Sequence, residues 1–255
     1  MLPSLQPAWV LHRRSYGDNG LLLEVFTHET GRLSAVAKGV HRRSRGGAKS
    51  GLLQPFTPLL ITLAGNSDLK QLRQIESAGA NLRLDREAMI SALYVNELLV
   101  RLLPKFDPQP QLFADYGSSL QDMKAGGNEP VLRRFEWRLL EALGYQPNLS
   151  CDVLGESLLG HRRYALDPTR GLVGVDDTET DNSGFTGNTL IRVIDALENH
   201  SEFDREALAC AKYISRRALK VQLGDKPLRS RELARAFLSG STRVPAARAD
   251  GLNPR

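Results

Sequence analysis

The spacing of apolar residues changes near residue 84, and this change restricts the possible folds more than any other feature. Before it, short runs rich in β-branched and aromatic side chains alternate with turn-forming residues, as in β-strands. After it, apolar residues recur at intervals of three and four, as on one face of an α-helix. The sequence therefore predicts an α+β protein with a β-rich N-terminal part and a mainly α-helical remainder. The predicted strands are 9–11, 21–26, 33–37, 58–63 and 69–75.

Five short strands separated by turns are typical of a small closed barrel. We expect residues 1–80 to form a five-stranded β-barrel of the OB type, an architecture that often binds oligonucleotides. The turns at 18–20, 29–31 and 65–68 suit this arrangement, because Gly, Asn and Asp are concentrated there. An SH3-like barrel would give much the same pattern, so the strand spacing alone leaves both folds open.

Residues 81–240 are expected to form the helical domain. Asp85 is a suitable N-cap for its first helix, and Pro104 ends that helix. Residues 146–185, where Gly, Pro, Asp and Thr are concentrated, are predicted to be irregular, and 241–255 are expected to form a disordered tail. The predicted helices are 86–103, 109–124, 130–143, 187–198, 204–222 and 230–238.

The residues at 38–49, between the third and fourth predicted strands, are strongly basic. They contain five Lys or Arg and no acidic residue, and their glycines allow the backbone to approach a phosphate closely. Such a loop is suited to contact a sugar–phosphate backbone without reading base edges, although a merely solvated loop is the alternative. The DNA-binding candidates of the barrel are Arg13, Arg14, Lys38, Arg42, Arg43, Arg45, Lys49, Lys70 and Arg73.

A second basic cluster lies at 212–235, where eight Lys or Arg and two acidic residues leave a net charge of +6. On a helix, Lys212, Arg216 and Lys220 would form one stripe with Arg217 beside it, roughly opposite an apolar face that includes Val221. Like charges at this spacing repel by about 0.2–0.5 kcal/mol per pair unless an anion neutralises them. We interpret the four cations as further DNA-binding candidates. The alternative is an exposed face whose charges pair with acids elsewhere.

The whole chain of 255 residues has a net charge of +5, which the two clusters together exceed. The basic charge is therefore localised, and this favours a polyanion as a partner. The sequence contains no run of 18 or more apolar residues, so we expect no transmembrane helix and no membrane partner. The two cysteines lie 59 positions apart and suit a reducing cytoplasm.

Motifs of common catalytic and cofactor sites are missing from the sequence. Gly-x-x-x-x-Gly-Lys-Ser/Thr, Gly-x-Ser-x-Gly and His-Glu-x-x-His are all absent. The five histidines are scattered without metal-ligand spacing, and the acidic residues at 176–181 lie in a polar segment typical of a solvated loop. We therefore expect no cofactor, no metal and no enzymatic activity.

Several short segments carry a resemblance to a known family when they are taken together, since each segment alone is weak. In the barrel these segments are 10–16, 25–27, 31–33, 36–39 and 53–59. In the helical part they are 93–99, 132–145 and 226–233. Over about residues 8–238, in order and at fitting intervals, their combination resembles the RecO family of bacterial DNA repair proteins.

This resemblance implies a role in DNA repair and homologous recombination, in the cytoplasm at the nucleoid. It implies binding of single- and double-stranded DNA, annealing of complementary strands coated by the single-stranded DNA-binding protein SSB, and loading of RecA together with RecR. It also implies that the helical domain binds the acidic, Phe-ending tail of SSB. A pocket for that tail needs apolar walls and an arginine for the terminal carboxylate. Our candidates are Leu132, Arg133, Arg134 and Phe135.

The cysteine content departs from that of many family members, which bind zinc through four cysteines after the central helix. Here Cys151 stands at such a place, but Leu154 occupies the position of the second ligand in a Cys-x-x-Cys pair. One thiolate cannot form a tetrahedral structural site, so we expect no zinc.

The barrel region contains few aromatic residues, and we expect most of them in the core. Base stacking is then a minor contribution, and contacts to phosphates leave the base edges free to pair, which suits annealing. Two other functions stay open. The first is a basic OB-fold adaptor for acidic protein segments, which strand annealing would exclude. The second is an RNA-binding OB protein, which competition between DNA and RNA oligomers would distinguish.

Overall fold

The computed structural model describes residues 4–40, 49–175 and 184–238. Within these ranges the N-terminal part contains a short 3-10 helix at Lys49–Gly51 and five β-strands. The strands are β1 (Gln6–Tyr16), β2 (Gly20–Thr27), β3 (Gly31–Ala37), β4 (Leu59–Ala64) and β5 (Leu69–Ser77). Each predicted strand is confirmed; four are wider than the apolar run that indicated them, and β4 begins and ends one residue later than predicted.

The strands form a closed barrel in the order β1-β2-β3-β5-β4, and β4 pairs back with β1. Neighbouring strands are antiparallel except β3 and β5, which run parallel and pair Val36 with Gln71. This arrangement is that of the OB fold, so the OB-type prediction is confirmed. Inward-facing residues of the strands, among them Val10, Leu23 and Leu33, fill the barrel interior.

The helical part has six α-helices within the described ranges. They are α1 (Arg86–Leu102), α2 (Pro110–Lys124), α3 (Asn128–Ala142), α4 (Gly187–Glu198), α5 (Arg205–Leu223) and α6 (Arg229–Leu238). The carboxylate of Asp85 accepts a hydrogen bond from the Ala88 N–H at 2.8 Å, which confirms the predicted N-cap of α1. Asp204 caps α5 through the Ala207 N–H in the same way. The α+β prediction is thus confirmed.

The segment 146–185, predicted to be irregular, contains a small antiparallel sheet. Its strands are β6 (Arg163–Asp167), β7 (Gly171–Val175) and β8 (Phe185–Thr186), in the order β7-β6-β8. Tyr164, Leu166 and Leu172 pack from this sheet against α4 and α5. The prediction is wrong for these strands. They have at most five residues, too few to show a clear alternation of apolar and polar residues. The surrounding Gly, Asp and Thr indicate turns more strongly than these short runs indicate strands.

The barrel and the helices share a hydrophobic core at their junction. A β-bulge makes Leu11 an extra, unpaired residue of β1. The carbonyl of Leu11 accepts a hydrogen bond from Nδ2 of Asn96 on α1 at 2.9 Å. Oδ1 of Asn96 accepts one from the Tyr116 hydroxyl of α2 at 2.6 Å. The barrel side chains in this shared core are Trp9, Leu11, Phe26 and Phe56.

The segment after α1 lies against β3 and fixes the barrel a second time. The Phe106 N–H donates to the Arg32 carbonyl at 2.9 Å, and Nε of Arg32 donates to the Leu103 carbonyl at 2.9 Å. Gly31, with φ of +74°, lies so close to this segment that a Cβ there would stand 2.0 Å from the Asp107 carbonyl oxygen. Both the backbone conformation and the close approach therefore require glycine.

Candidate nucleic-acid interface

Three of the predicted cations, Arg14, Lys38 and Arg73, are exposed within two residues of one row of paired barrel residues, and we call them the barrel patch. Lys38 and Arg73 lie two positions beyond Val36 and Gln71, a distance of about 7 Å along the strands. Arg73 is also the extra residue of a bulge in β5, which alters the direction of its side chain. Arg14 pairs with Leu22 across β1 and β2, Leu22 pairs with Val36, and Val36 pairs with Gln71, so these four residues form one row across the barrel.

Two other predicted barrel cations already have partners within the protein. Nη1 of Arg13 donates to the carbonyls of Ser50 and Leu53, each at 3.4 Å. Nζ of Lys70 donates to the Gly65 carbonyl at 3.0 Å and lies 5.2 Å from the ring centroid of Phe106. Both side chains therefore help to fix the barrel, whereas the barrel patch makes no ion pair with the residues that the structure describes.

The remaining barrel candidates belong to the basic segment 38–49. Arg42, Arg43 and Arg45 lie outside the described residues, and the side chain of Lys49 is not described either. Val40 and Ser50, the described residues near the two ends of the part of this segment that is not described, contact the barrel near β1. The Val40 N–H donates to the Asn19 carbonyl at 3.2 Å, and the Ser50 carbonyl accepts from Arg13.

The second basic cluster forms a groove of about 660 Å³ between α5 and the beginning of α6, which we call the basic groove. Asp225 is the only acidic residue among the described residues that line it. The exposed residues of the predicted stripe lie along α5 beside this groove. Val221, predicted on the apolar face, is instead 53% exposed, and Ala218 and Leu219 make the buried contacts of that turn. The cations that line the groove are Lys212, Arg216, Arg217, Lys220, Lys226 and Arg231.

Two side chains of α1 fix the wall of the basic groove. The carboxylate of Glu97 accepts hydrogen bonds from the N–H groups of Arg229 and Ser230, each at 2.9 Å, and so caps the N-terminus of α6. Partial burial opposes ionisation of Glu97, but these bonds and that of the Ser230 hydroxyl outweigh it, so the pKa of the carboxyl is lowered. Nη1 and Nη2 of Arg101 donate to the carbonyls of Lys226 and Leu223, both at 2.9 Å.

A second cavity, of about 570 Å³, lies among α1, α3, α5 and α6, and we call it the mixed pocket. The guanidinium of Arg86 lies 5.6 Å from the ring centroid of Phe237 at its edge. The pocket combines apolar surface with an excess of positive charge, since its acidic lining residues are Glu87 and Glu129 against five cations. Its apolar lining residues include Ile90, Leu132, Ala234 and Phe237, and its cations are Arg86, Arg133, Lys212, Arg216 and Arg231.

The four residues predicted to bind the SSB tail do not line one cavity. Leu132 and Arg133 line the mixed pocket, whereas Arg134 and Phe135 line a different cleft between α2 and α3. Phe135 is only 1% exposed and belongs to the hydrophobic core. Arg134 donates through Nη2 to the Ser201 carbonyl at 2.8 Å, which ties α3 to the end of α4.

Arg133 is buried and neutralises a buried carboxylate beneath the mixed pocket. Its Nη1 lies 2.8 Å from Oε2 of Glu136, and the Tyr94 hydroxyl donates to Oε1 of Glu136 at 2.5 Å. Complete burial raises the pKa of the Glu136 carboxyl, although Arg133 and Tyr94 act in the opposite direction. This network joins α1 to α3 directly beneath the pocket.

The structure also brings residues to these cavities that the sequence did not single out. Lys226 and Arg231 belong to the basic cluster but were not among the candidates, because no helical stripe includes them. Arg86, Ile90 and Phe237 gave no signal, since Arg86 and Ile90 lie on α1 and Phe237 lies on α6, and only the packing of these two helices brings them together. Their apolar or basic character alone is equally typical of a helix surface.

No group of three or more His, Cys, Asp or Glu suited to a metal ion is present among the described residues. Burial raises the pKa of the Cys210 thiol, so this cysteine is protonated and a poor nucleophile. The described helices are also all too short or too polar to cross a membrane.

Comparison with known proteins agrees with the resemblance. Residues 1–80 match the family model Recombination protein O N terminal, and residues 83–232 match Recombination protein O C terminal. A DNA repair protein RecO of Pseudoalteromonas atlantica is 44% identical over 88% of this chain and 91% of its own length. The proteins of that name from Pasteurella multocida and Vibrio cholerae are 40% and 41% identical over 93% and 97% of this chain, and 97% and 98% of their own lengths. The chain therefore belongs to the recombination protein O family.

Proposed function

We propose that this chain is a DNA repair and recombination mediator without enzymatic activity, which binds single- and double-stranded DNA and anneals complementary strands coated by SSB. Through RecR it would also assist loading of RecA. The relatives support this proposal because they are named DNA repair protein RecO. The observation that carries it is the basic groove, where six cations and one acid line a single cavity among the described residues.

Binding through phosphates is favoured over base stacking by the burial of the barrel aromatics. Trp9, Phe26 and Phe56 lie in the core, and Tyr16, 47% exposed, is the barrel-strand aromatic on the surface. Cations that neutralise two polyanionic strands lower their mutual repulsion, while the base edges stay free to pair. On this proposal residues 1–80 are a DNA-binding OB domain and the basic groove belongs to a second binding domain at 81–240.

The mixed pocket is our revised candidate for the acidic tail of SSB. An apolar terminal residue would pack against Ile90 and Phe237, and the acidic residues would meet Arg86 and Arg216. Leu132 keeps its proposed role as a wall, and Arg133 acts from beneath through its ion pair with Glu136. Arg134 and Phe135 are left out of this revised site.

Salt-dependent binding of a labelled single strand tests the proposed function. Replacing Arg216, Arg217 and Lys220 with alanine removes three phosphate contacts, which should lower the log–log salt slope by about 2. The control replaces Arg83, Lys124 and Arg205, three exposed cations outside both cavities, and changes the net charge equally. Equal slopes in the two triple variants would contradict a phosphate-binding groove.

Annealing separates the mediator from the other functions. Complementary strands are coated with full-length SSB or with SSB that lacks its acidic tail, and duplex formation is followed in the presence of this protein. Annealing that depends on the tail is expected. A protein that binds bare single strands yet anneals neither substrate would be an adaptor, and preference for RNA oligomers over DNA would indicate an RNA-binding protein.

A further inference from the structure

The basic groove and the mixed pocket have a common wall. Lys212 and Arg216 of α5 and Arg231 of α6 line both cavities, so each of these side chains stands between the two. The cavities otherwise differ in their linings. Arg217, Lys220 and Lys226 line the groove alone, and Arg86 lines the pocket alone.

The three shared cations differ in how firmly they are held. Nζ of Lys212 lies 2.5 Å from Oε1 of Glu129, a residue of the mixed pocket. The guanidinium of Arg231 lies 5.6 Å from the ring centroid of Tyr94, which also lines that pocket. Arg216 is exposed and forms no ion pair or hydrogen bond with the part of the chain that the structure describes. Its side chain is therefore the most free to turn toward either cavity.

One guanidinium cannot make the same charge-assisted hydrogen bonds to two anions on opposite sides of it. A phosphate in the groove that is paired with Arg216 removes that partner from a carboxylate in the pocket. Two anions that contact the same side chain also repel, because charges within a Debye length of each other, about 8 Å at physiological salt, are poorly screened. Both effects make the second ligand bind more weakly.

The wall cannot widen to relieve this conflict without loss of other contacts. Glu97 caps α6 from α1, and Arg101 donates to the carbonyls at the end of α5 and in the loop that follows it. The Tyr94 hydroxyl of α1 donates to Glu136 and so ties α3 to α1 beneath the pocket. The elements that carry the shared cations are thus held at a set separation.

We propose that nucleic acid in the basic groove and an acidic peptide in the mixed pocket bind antagonistically, because they compete for Lys212, Arg216 and Arg231. The inference rests on the proposed function, since it takes both ligand classes from it. It adds a direction of regulation: a protein recruited by an acidic tail would release that tail as its groove takes up the strand. By linkage the effect is reciprocal, and each ligand lowers the affinity of the other by the same factor.

The test measures each ligand alone and then in the presence of the other. The probes are a fluorescent oligo(dT) and a fluorescent acidic peptide that ends in phenylalanine, followed by anisotropy with the full chain at constant salt. With saturating unlabelled oligo(dT), the apparent Kd of the peptide should rise by about tenfold, within the usual range of coupling between sites. Saturating peptide should raise the Kd of oligo(dT) by the same factor.

Adjacent residues of α5 supply a matched pair of variants. Arg216→Ala should lower the affinity for both probes and bring the coupling factor toward one, because it removes a shared cation. Arg217→Ala should lower the affinity for oligo(dT) alone and leave the coupling factor unchanged, since Arg217 lines only the groove. Both residues are exposed, so circular dichroism should show equal folding of the two variants.

The outcomes distinguish this inference from the function on which it rests. Failure of oligo(dT) or of the peptide to bind alone would overturn the proposed function and the inference with it. Binding of each probe alone, with affinities that the other leaves unchanged, would overturn the inference while the proposed function stands. Antagonism of equal size in the Arg216→Ala and Arg217→Ala variants would also refute the shared-cation explanation.

Discussion

Asn96 joins the barrel to two helices, and its replacement by alanine should destabilise the protein strongly. The substitution leaves the Leu11 carbonyl and the Tyr116 hydroxyl buried without partners. An unsatisfied buried polar group costs about 1–3 kcal/mol, so the expected loss in free energy of unfolding is about 2–5 kcal/mol. Burial raises the pKa of the Tyr116 hydroxyl, so this group stays a protonated donor in need of an acceptor.

A double-mutant cycle with Tyr116→Phe tests this reasoning. In the natural background Tyr116→Phe should destabilise by about 1–2 kcal/mol, because Oδ1 of Asn96 loses its donor. In the Asn96→Ala background the same change should be neutral or stabilising, since it removes an orphaned hydroxyl. Tyr145→Phe, at an exposed tyrosine, is the control and should change stability by less than about 0.5 kcal/mol.

Urea unfolding, followed by circular dichroism and by tryptophan fluorescence, supplies the four free energies. Trp9 is a suitable reporter, because its ring centroid lies 5.5 Å from that of Tyr116. The predicted coupling between the two substitutions is about 1–3 kcal/mol. Effects that add to within about 0.5 kcal/mol would refute the view that Asn96 and Tyr116 act through one buried network.

Three further changes test individual contacts by urea unfolding. Glu97→Gln should destabilise by about 1 kcal/mol at pH 7. Because the folded-state pKa of Glu97 is lowered, this deficit should disappear as pH falls through that value, and a deficit independent of pH would contradict the capping role. Glu136→Gln should destabilise by about 3–5 kcal/mol by leaving a buried arginine unpaired, whereas Glu141→Gln, in an exposed Arg–Glu pair of the same helix and spacing, should change stability by less than about 1 kcal/mol. Gly31→Ala should destabilise by more than Gly39→Ala, since both have positive φ but only Gly31 approaches another backbone, and equal effects would exclude that close contact.

The secondary structure was largely predictable because its signals are local. The helices from α1 to α6 follow from apolar spacing and from caps such as Asp85, which depend on residues within a few positions. The small sheet was missed for the converse reason. Strand β8 has two residues and gains its definition from pairing with Arg163 and Tyr164, some twenty positions away.

The candidate sites were less predictable, because they depend on which faces of a helix meet which neighbours. From the sequence, Arg133 on α3 was expected to be accessible to the carboxylate of a ligand. In the structure it is buried and paired with Glu136 of the same helix. Arg138 and Glu141 have the same residue types and the same spacing, but their pair is exposed. Only the tertiary packing distinguishes these two pairs, and the same packing places Phe135 in the core.

The double attachment of the barrel, through Asn96 at the bulge and through the segment beside β3, has a consequence for ligands of different length. Because the barrel is attached at two places, the span between the barrel patch and the basic groove is set by the protein. Under the proposed function, an oligonucleotide shorter than this span contacts only one of the two surfaces. A longer oligonucleotide that is already bound to one surface binds the other in an intramolecular step, at a high effective concentration. Affinity should then rise in a step at a threshold length, so that the protein acts as a molecular ruler for exposed single strands.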